Sequence, residues 1–270
     1  MKYRYISDCH VHTRCSPDGS DPTMMMCDRA AGLGLHAVTI TDHCECNEYL
    51  TGGYRDAIRK SYLESKRARA VYQDRVQVYS GVELGQPTQD LKAAEDILDD
   101  CEFDFVLASL HNIEGAPDFY YLNYRELDIY DLLQRYYDQL LKIVEWGNFD
   151  SLAHLTYPLR YIAGEHGIEI DHKPYTERVD TILRTLVLQD KALEVNTSGL
   201  RQKYGKTLPG LAVLKRFREL GGRFVTLGSD AHRWADVGGG VEDGLDLLKE
   251  AGFENFTIFV KREPKLFPIE

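Results

Sequence analysis

The sequence predicts a parallel α/β fold, built either as a closed barrel or as an open doubly wound sheet. Seven short β-rich segments alternate with stretches of helical periodicity, and their apolar content is nearly continuous, as in parallel strands covered by helices. The 270 residues allow one large domain or two small ones, and an α/β barrel uses about 250. The predicted strands are Tyr5–His10, Ala37–Thr41, Val76–Val82, Phe105–Leu110, Ser151–His154, Ala192–Asn196 and Phe224–Gly228.

The helices between these strands are predicted from their start and stop signals. Asp21-Pro22 provides a capping side chain and a first-turn proline for the helix after the first strand. Apolar residues from Leu132 to Val144 recur at three- and four-residue spacing and stop before Gly147, which is typical of a helix end. Two later helices are expected over Gly210–Leu220 and Val241–Ala251, each followed by glycine.

Composition excludes several classes of protein. Hydrophobic residues make up 43% and charged residues 28%, which is ordinary for a folded globular chain. With 32 basic and 43 acidic residues the net charge is −11, which argues against nucleic acid or an anionic membrane as partner. The first residues, MKYRYISDCHVH, contain no apolar signal region, and the six cysteines form no disulfide framework. We therefore expect a cytoplasmic protein.

Side chains that bind metal ions stand where the predicted strands end. In His10-Val11-His12 the alternation of a strand places both imidazoles on one face, and Asp230-Ala231-His232 repeats this spacing after the seventh strand. In parallel barrels the carboxyl ends of the strands carry the active site. The candidate metal ligands are His10, His12, Asp18, His43, Glu83, His111, His154, Asp230 and His232.

These residue types favour a site with several divalent ions. Imidazoles and carboxylates together bind transition metals, and the two oxygens of Glu83 can bridge two ions. Asp8 lies on the same strand face as His10 and is expected to fix the tautomer of an imidazole ring. A single H-x-H pair more often consists of surface histidines. Nine such groups at corresponding points of repeated strand–helix units are not explained in that way.

Six motifs, in this order along the chain, resemble the polymerase and histidinol phosphatase (PHP) family. They are His10-Val11-His12-Thr13, Thr41-Asp42-His43, Gly81-Val82-Glu83, Ser109-Leu110-His111, Ala153-His154-Leu155 and Gly228-Ser229-Asp230-Ala231-His232. The segments 154–161 and 194–201 look like stand-alone histidinol-phosphate phosphatases rather than the polymerase-attached branch. The resemblance implies one PHP-type domain over residues 1–270, folded as a distorted TIM-like (β/α)7 barrel with its metal site at the carboxyl ends of the strands.

The resemblance also implies how two to three divalent ions, of zinc, manganese or iron, would be held. The first ion would take His10, His12, Glu83 and Asp230. The second would take Glu83, His111 and His154. The third would take Asp18, His43 and His232.

The implied activity is hydrolysis of a phosphate monoester, most closely L-histidinol phosphate of histidine biosynthesis. A hydroxide bridging two ions would attack phosphorus in line. Arg160 and Arg201, both on loops after strands, are expected to clamp the phosphate. The leaving group would be protonated by Asp42, a nearby histidine or a metal-bound water. Three divalent ions outweigh the carboxylates of the ligand set, so the pocket suits a small anionic substrate.

Three other functions are compatible with the sequence. A related phosphoesterase acting on another phosphomonoester, or on a phosphodiester, would use the same metals. A metal-dependent amidohydrolase also begins with H-x-H, but Glu83, the Asp230/His232 pair and the absence of a lysine at the strand ends argue against it. A degenerate barrel kept as a scaffold has no support, because all nine candidate ligands are present.

Overall fold

Seven parallel strands form a nearly closed barrel in the computed structural model, which describes residues 2–270. The predicted α/β class is confirmed, and the architecture is the barrel rather than the open sheet. The strands are β1 (Ser7–Val11), β2 (Ala37–Ile40), β3 (His43–Glu45), β4 (Gln77–Gly85), β5 (Phe105–Ser109), β6 (Ser151–Leu152), β7 (Ala192–Asn196), β8 (Val225–Gly228), β9 (Asn255–Val260) and β10 (Glu263–Pro268).

The order around the barrel is β1-β2-β4-β5-β6-β7-β8. The short strand β3 continues beyond β2 and pairs with the far half of β4, so that His43 lies in register with Glu83. Between β1 and β8 the barrel is joined only at its carboxyl end. There Val11 forms a single parallel bridge with Ala231, and the Asp230 N–H donates to the His10 carbonyl at 2.8 Å.

A helix lies in each connection between neighbouring barrel strands. The helices are α1 (Thr23–Gly32), α2 (Tyr54–Tyr72), α3 (Leu91–Asp100), α4 (Ile129–Trp146), α5 (Thr176–Leu188), α6 (Leu211–Glu219) and α7 (Val241–Glu250). Helix α4 ends before Gly147 as predicted. The start of α1 differs from the prediction, because the Asp21 carboxylate accepts a hydrogen bond from the Trp234 N–H instead of capping the helix.

The antiparallel hairpin β9–β10 closes the amino end of the barrel. The Phe259 ring stacks on the Phe105 ring at 5.4 Å, and the Arg262 N–H donates to the Asp104 carbonyl at the start of β5. The carboxyl end is left open. Among residues 2–270, no helix combines the length and the apolar character needed to cross a membrane.

Candidate metal centre

The nine candidate ligands converge at the carboxyl end of the barrel. His10, on β1, and His12, directly after it, are fully buried next to a cavity of about 600 Å³. The other members of the set line that cavity: Asp18, His43, Glu83, His111, His154, Asp230 and His232. Residues that are far apart in the chain are brought together because each stands at or just after a parallel strand.

A first group of donor atoms surrounds one oxygen of Glu83. Glu83 Oε2 lies 3.2 Å from His10 Nε2 and 3.5 Å from His12 Nε2. Asp230 Oδ1 lies 3.8 Å and 3.4 Å from the same two nitrogens. Asp230 has a φ of 55°, a left-handed conformation of the kind that occurs at functional sites. Four side chains thus point at one small volume.

A second group surrounds the other oxygen of Glu83. Glu83 Oε1 lies 3.2 Å from His111 Nε2 and 3.0 Å from His154 Nε2. The two imidazole nitrogens are 3.4 Å apart. Glu83 therefore presents one oxygen to each group, which is the arrangement that a bridging carboxylate requires.

A third group lies nearer to the solvent. Asp18 Oδ2 is 3.0 Å from His232 Nε2, and Asp18 Oδ1 is 3.7 Å from His43 Nε2. The His12 ring stacks against both of these rings, with centroid distances of 4.1 Å to His43 and 4.3 Å to His232. The Asp18 side chain is 59% exposed, so this group is the most open of the three.

These donor sets fit divalent transition metal ions. Ligands held about 2.0–2.2 Å from one ion lie about 3.0–3.5 Å from each other, close to most of the distances within the groups. Over the described residues 2–270, His12 Nε2 is buried without a hydrogen-bond partner. Such an atom is costly unless something else satisfies it. Imidazole mixed with carboxylate suits zinc, manganese and iron.

The protonation states also suit metal binding. Burial by itself would raise the pKa of Glu83, but the surrounding imidazoles, His10 foremost, hold that pKa well below its usual range. Burial lowers the pKa of His12 well below its ordinary value, and the adjacent His43 ring lowers it further. Glu83 is therefore ionised and His12 is neutral, which are the forms that coordinate metals. Burial alone would lower the pKa of His10 and His111, but the nearby carboxylates raise it well above its ordinary value, so these two imidazoles would release a proton when an ion binds.

Glu194 orients the first group and was missed by the sequence analysis. This buried carboxylate on β7 places Oε1 2.6 Å from His10 Nδ1, while Oε2 accepts a hydrogen bond from the His154 N–H at 2.8 Å. A carboxylate on Nδ1 keeps Nε2 of the same ring free for a metal. The signal for Glu194 was present, because an acidic residue inside a buried apolar strand requires a partner.

The expectation that Asp8 fixes an imidazole tautomer is wrong. Its carboxylate accepts hydrogen bonds from the Ser229 N–H at 2.8 Å, from the Ser229 hydroxyl at 2.5 Å and from the Gly238 N–H at 2.8 Å. Asp8 therefore anchors the segment that leads into Asp230.

Arg160 reaches the cavity. It begins a short π-helical turn over Arg160–Glu165, and its guanidinium donates to Ser198 Oγ and to Asp230 Oδ2, the latter at 3.2 Å. The guanidinium carbon lies 4.8 Å from the centre of the Tyr157 ring. Its Nε is buried without a partner, so an anion in the cavity could use this donor.

Arg201 and Asp42 do not line the cavity. Arg201 Nη2 donates to the Ser229 carbonyl at 2.8 Å. This side chain therefore holds the backbone beside Asp230 and does not reach into the cavity with Arg160 as a second phosphate clamp. Asp42 is fully buried, and its carboxylate accepts hydrogen bonds from Thr13 N and Oγ1, Ser16 Oγ and Ser61 Oγ. With these donors around it, Asp42 organises the loop after β1 and does not face the cavity.

Comparison with known proteins decides the family. The model of the PHP domain family matches residues 8–198. The chain belongs to the PHP domain family. The resemblance expected from the six motifs is thereby confirmed, and the three groups of donor atoms lie at the open end of a PHP barrel.

Several relatives of this PHP domain are histidinol-phosphatases. A probable histidinol-phosphatase of Thermotoga maritima is 30% identical and covers 94% of this chain and 96% of its own. One of Clostridium acetobutylicum is 29% identical, with coverages of 95% and 98%. The histidinol-phosphatase of Lactococcus lactis is 27% identical, with 93% of each chain covered.

The fold is shared with a solved structure along nearly the whole length. The histidinol phosphate phosphatase of Lactococcus lactis, determined in complex with zinc, L-histidinol and phosphate, superposes with a TM-score of 0.75 at 24% identity. The match covers 96% of this chain and 98% of that one. The PHP barrel described above is therefore an established architecture.

Proposed function

We propose that this protein is a metal-dependent phosphomonoesterase whose substrate is L-histidinol phosphate. The observation that carries the proposal is the set of three donor groups, two of which are buried and share Glu83, beside an arginine whose Nε has no partner among residues 2–270. The relatives named as histidinol-phosphatases, matched over more than nine-tenths of this chain, support the choice of substrate.

The three groups would hold two to three divalent ions in the division that the family resemblance implies. When bound, such ions lower the pKa of water and neutralise charge on a phosphoryl group. The buried Glu194 and the partly buried Glu45 add two carboxylates to the three of the ligand set. The charge excess of a trinuclear centre is therefore small, and Arg160 would supply much of the attraction for a dianion.

Arg160 would bind the phosphoryl oxygens of the substrate. Its guanidinium plane is held from below by the Tyr157 ring and from the side by Asp230, so little side-chain freedom is lost when an anion binds. Arg201 would act indirectly, by fixing the backbone of the segment that carries Asp230 and His232.

Asp118 would replace Asp42 as the proton donor to the leaving alcohol. Asp118 lines the cavity, and burial raises the pKa of its carboxyl group. A carboxyl group with a raised pKa retains its proton nearer to neutral pH. The variant Asp118→Asn should therefore slow hydrolysis of an alkyl phosphate more than that of p-nitrophenyl phosphate, whose leaving group needs no proton. Equal losses for both substrates would exclude this role.

The activity is tested by measuring inorganic phosphate release from a panel of phosphomonoesters that includes L-histidinol phosphate. The enzyme is loaded with zinc, manganese or iron, and Glu83→Gln protein, purified in parallel, controls for contaminating phosphatases. We expect the highest kcat/KM for L-histidinol phosphate, and loss of turnover on chelation. A higher kcat/KM for a sugar phosphate or a nucleotide would contradict the substrate assignment.

The same preparation separates the alternatives. Hydrolysis of bis-p-nitrophenyl phosphate at a rate above that of all monoesters would indicate a phosphodiesterase. Release of ammonia or amine from amides would indicate an amidohydrolase, although no lysine from the described part of the chain lines the cavity. Absence of turnover with every metal would indicate a binding module.

A further inference from the structure

The carboxylate of Glu45 lies inside the metal centre, although Glu45 belongs to none of the three ligand sets. Its Oε1 is 3.0 Å from His111 Nδ1 and 3.3 Å from His43 Nδ1. The other nitrogen of the His111 ring, Nε2, faces Glu83 and His154 in the second donor group. Glu45 thus touches the side of the ring that points away from that group.

The backbone next to Glu45 leaves room for this carboxylate. Glu45 on β3 lies in register with Gly85 on the parallel neighbour β4. A methyl group at position 85 would overlap the Glu45 carboxylate, whose three atoms are the ones nearest to it. Gly85 does not have a positive φ, so glycine is needed here for space and not for backbone conformation.

The orientation of the Gln86 amide shows that Glu45 acts as a hydrogen-bond acceptor. The Gln86 backbone has a left-handed φ of 48°, and its side-chain Oε1 accepts a hydrogen bond from the His111 N–H at 2.7 Å. A backbone N–H can only donate, so the orientation of the Gln86 amide is settled and its Nε2 must be the atom that faces Glu45. That Nε2 donates to Glu45 Oε2 at 2.5 Å and to Asn47 Oδ1 at 3.1 Å.

Glu45 Oε2 therefore accepts a hydrogen bond from Gln86 Nε2. Because an ionised carboxylate can only accept, His111 Nδ1 must donate to the other oxygen, Oε1. We propose that Glu45 is a positioning residue that holds the His111 proton on Nδ1, so that the Nε2 lone pair is available to the second divalent ion. This inference rests on the proposed metal centre. Because Nδ1 and Nε2 point in different directions, a carboxylate on Nδ1 does not coordinate the ion held by Nε2.

The substitution Glu45→Gln tests this assignment with almost no change in shape. A carboxamide can accept from Gln86 or from His111 but not from both. If its oxygen faces Gln86, its NH2 group faces His111 Nδ1, which favours the tautomer that carries the proton on Nε2 and opposes metal binding. If its oxygen faces His111, two NH2 groups meet. Either arrangement should weaken binding of the second ion by about 10–100-fold, the usual effect of losing such a partner.

A second variant displaces Glu45 without changing any polar group. In Gly85→Ala the added methyl group pushes the carboxylate away from His111, and the loss of affinity should have the same direction. Two control variants match these changes. Glu102→Gln alters an exposed carboxylate at the amino end of the barrel, away from the cavity, and Gly32→Ala adds a methyl group where nothing lies within 4 Å.

The measurement is calorimetric titration of the metal-free full chain with Zn²⁺ or Mn²⁺, after circular dichroism has shown that each variant is folded. We expect wild type and both controls to bind the second ion alike, and Glu45→Gln and Gly85→Ala to bind it more weakly. In zinc-loaded protein with ¹⁵N-labelled histidine, the His111 proton should be found on Nδ1 and exchange slowly with solvent. This exchange should be faster in Glu45→Gln.

The outcomes separate this inference from the proposed function. If Glu45→Gln or Gly85→Ala, whichever folds, binds every ion as tightly as wild type, Glu45 does not position His111, and the metal centre itself stands. If wild type binds no more than one ion, the multinuclear centre is wrong and this inference is wrong with it.

Discussion

The two ends of strand β5 hold buried polar groups in opposite situations. At the amino end, the Asp104 carboxylate accepts hydrogen bonds from Ser80 N and Oγ, each at 3.0 Å, and from the Lys261 N–H at 3.2 Å. Arg69 pairs with the same carboxylate. At the carboxyl end, His111 enters a cluster in which other buried ring nitrogens have no hydrogen-bond partner within residues 2–270.

This difference separates stability from function. Buried charges at the amino end are satisfied by donors from the chain itself, so they hold the hairpin to the barrel. At the carboxyl end the donor atoms are directed at a common volume, and among residues 2–270 some buried ring nitrogens, such as His12 Nε2, lack a hydrogen-bond partner. Groups of that kind cost stability unless a ligand binds them, which is why they mark a functional site.

The largest expected effect is that of Glu83→Gln at the carboxyl end. The amide cannot offer an anionic oxygen to both donor groups, so metal content and turnover should fall together, with kcat reduced by more than about 100-fold. Elemental analysis and phosphate release measure the two losses. Circular dichroism in chelator should show that the variant is folded, so that both losses can be assigned to the site.

The control for this variant is Glu102→Gln, which alters an exposed carboxylate at the other end of the barrel. It should leave metal content and turnover unchanged. Full metal stoichiometry with near-normal turnover in Glu83→Gln would show that Glu83 does not bridge two ions.

A smaller effect should distinguish the two arginines near the centre. Arg160→Ala should lower kcat/KM by about 10–150-fold, the value of a charge-assisted hydrogen bond, with metal content intact. Arg160→Lys should recover only part of this loss, because the ammonium group keeps the positive charge but cannot replace the planar guanidinium. Arg201→Ala should lower kcat/KM less than Arg160→Ala and should also lower the melting temperature. Equal losses of kcat/KM without a loss of stability would restore Arg201 as a second phosphate clamp.

At the amino end, Asp104→Asn should change stability and leave chemistry alone. In the variant an NH2 group takes the place of one carboxylate oxygen of Asp104 and faces the donors that surround it. This should lower the free energy of unfolding by about 2–4 kcal/mol. Denaturant titration measures that loss. The kcat per folded molecule should equal that of wild type, and a fall in kcat at unchanged stability would contradict the separation of the two ends.

The smallest expected effect is a pH dependence of that stability. Burial by itself would raise the pKa of Asp104, but hydrogen bonding from Ser80 and the Arg69 charge bring it below the ordinary carboxyl value of 3.8. The stabilising contribution is therefore complete above that value and is lost as pH falls through the lower pKa of the folded protein. The difference in unfolding free energy between wild type and Asp104→Asn should shrink as pH falls below about 4. A difference that stays constant down to pH 2 would contradict this.

Sequence patterns were sufficient for the α/β class and for the nine candidate ligands that meet at one end of the barrel, because these features depend on local order. The choice of a barrel over an open sheet came from the family resemblance. A buried strand has a continuous apolar run, and each ligand stands at or soon after the end of such a run. The same local reading placed both Arg160 and Arg201 on loops after strands, and only one of them points into the cavity.

The residues that the sequence analysis missed depend on contacts between distant segments. Glu194 and Glu45 gain their roles from rings carried by other strands, and strand β3 forms only because β4 extends past Glu83. Asp42 stands next to His43 in the chain, but serine and threonine hydroxyls from α2 and from the loop after β1 turn its carboxylate to structural use. The spacing of residues along the chain does not predict such contacts between distant segments.

The single bridge that joins β1 to the segment after β8 has a consequence for the order of folding. Val11 and Ala231 close the barrel beside His10, His12, Asp230 and His232, and the neighbouring contact of Asp8 with Ser229 spans 221 positions. Closing a loop of that length costs entropy before any contact repays it. During synthesis on the ribosome, the first donor group therefore stays incomplete until almost the entire chain has emerged. An ion that takes all four side chains of this group could therefore bind only after the last barrel strand has docked.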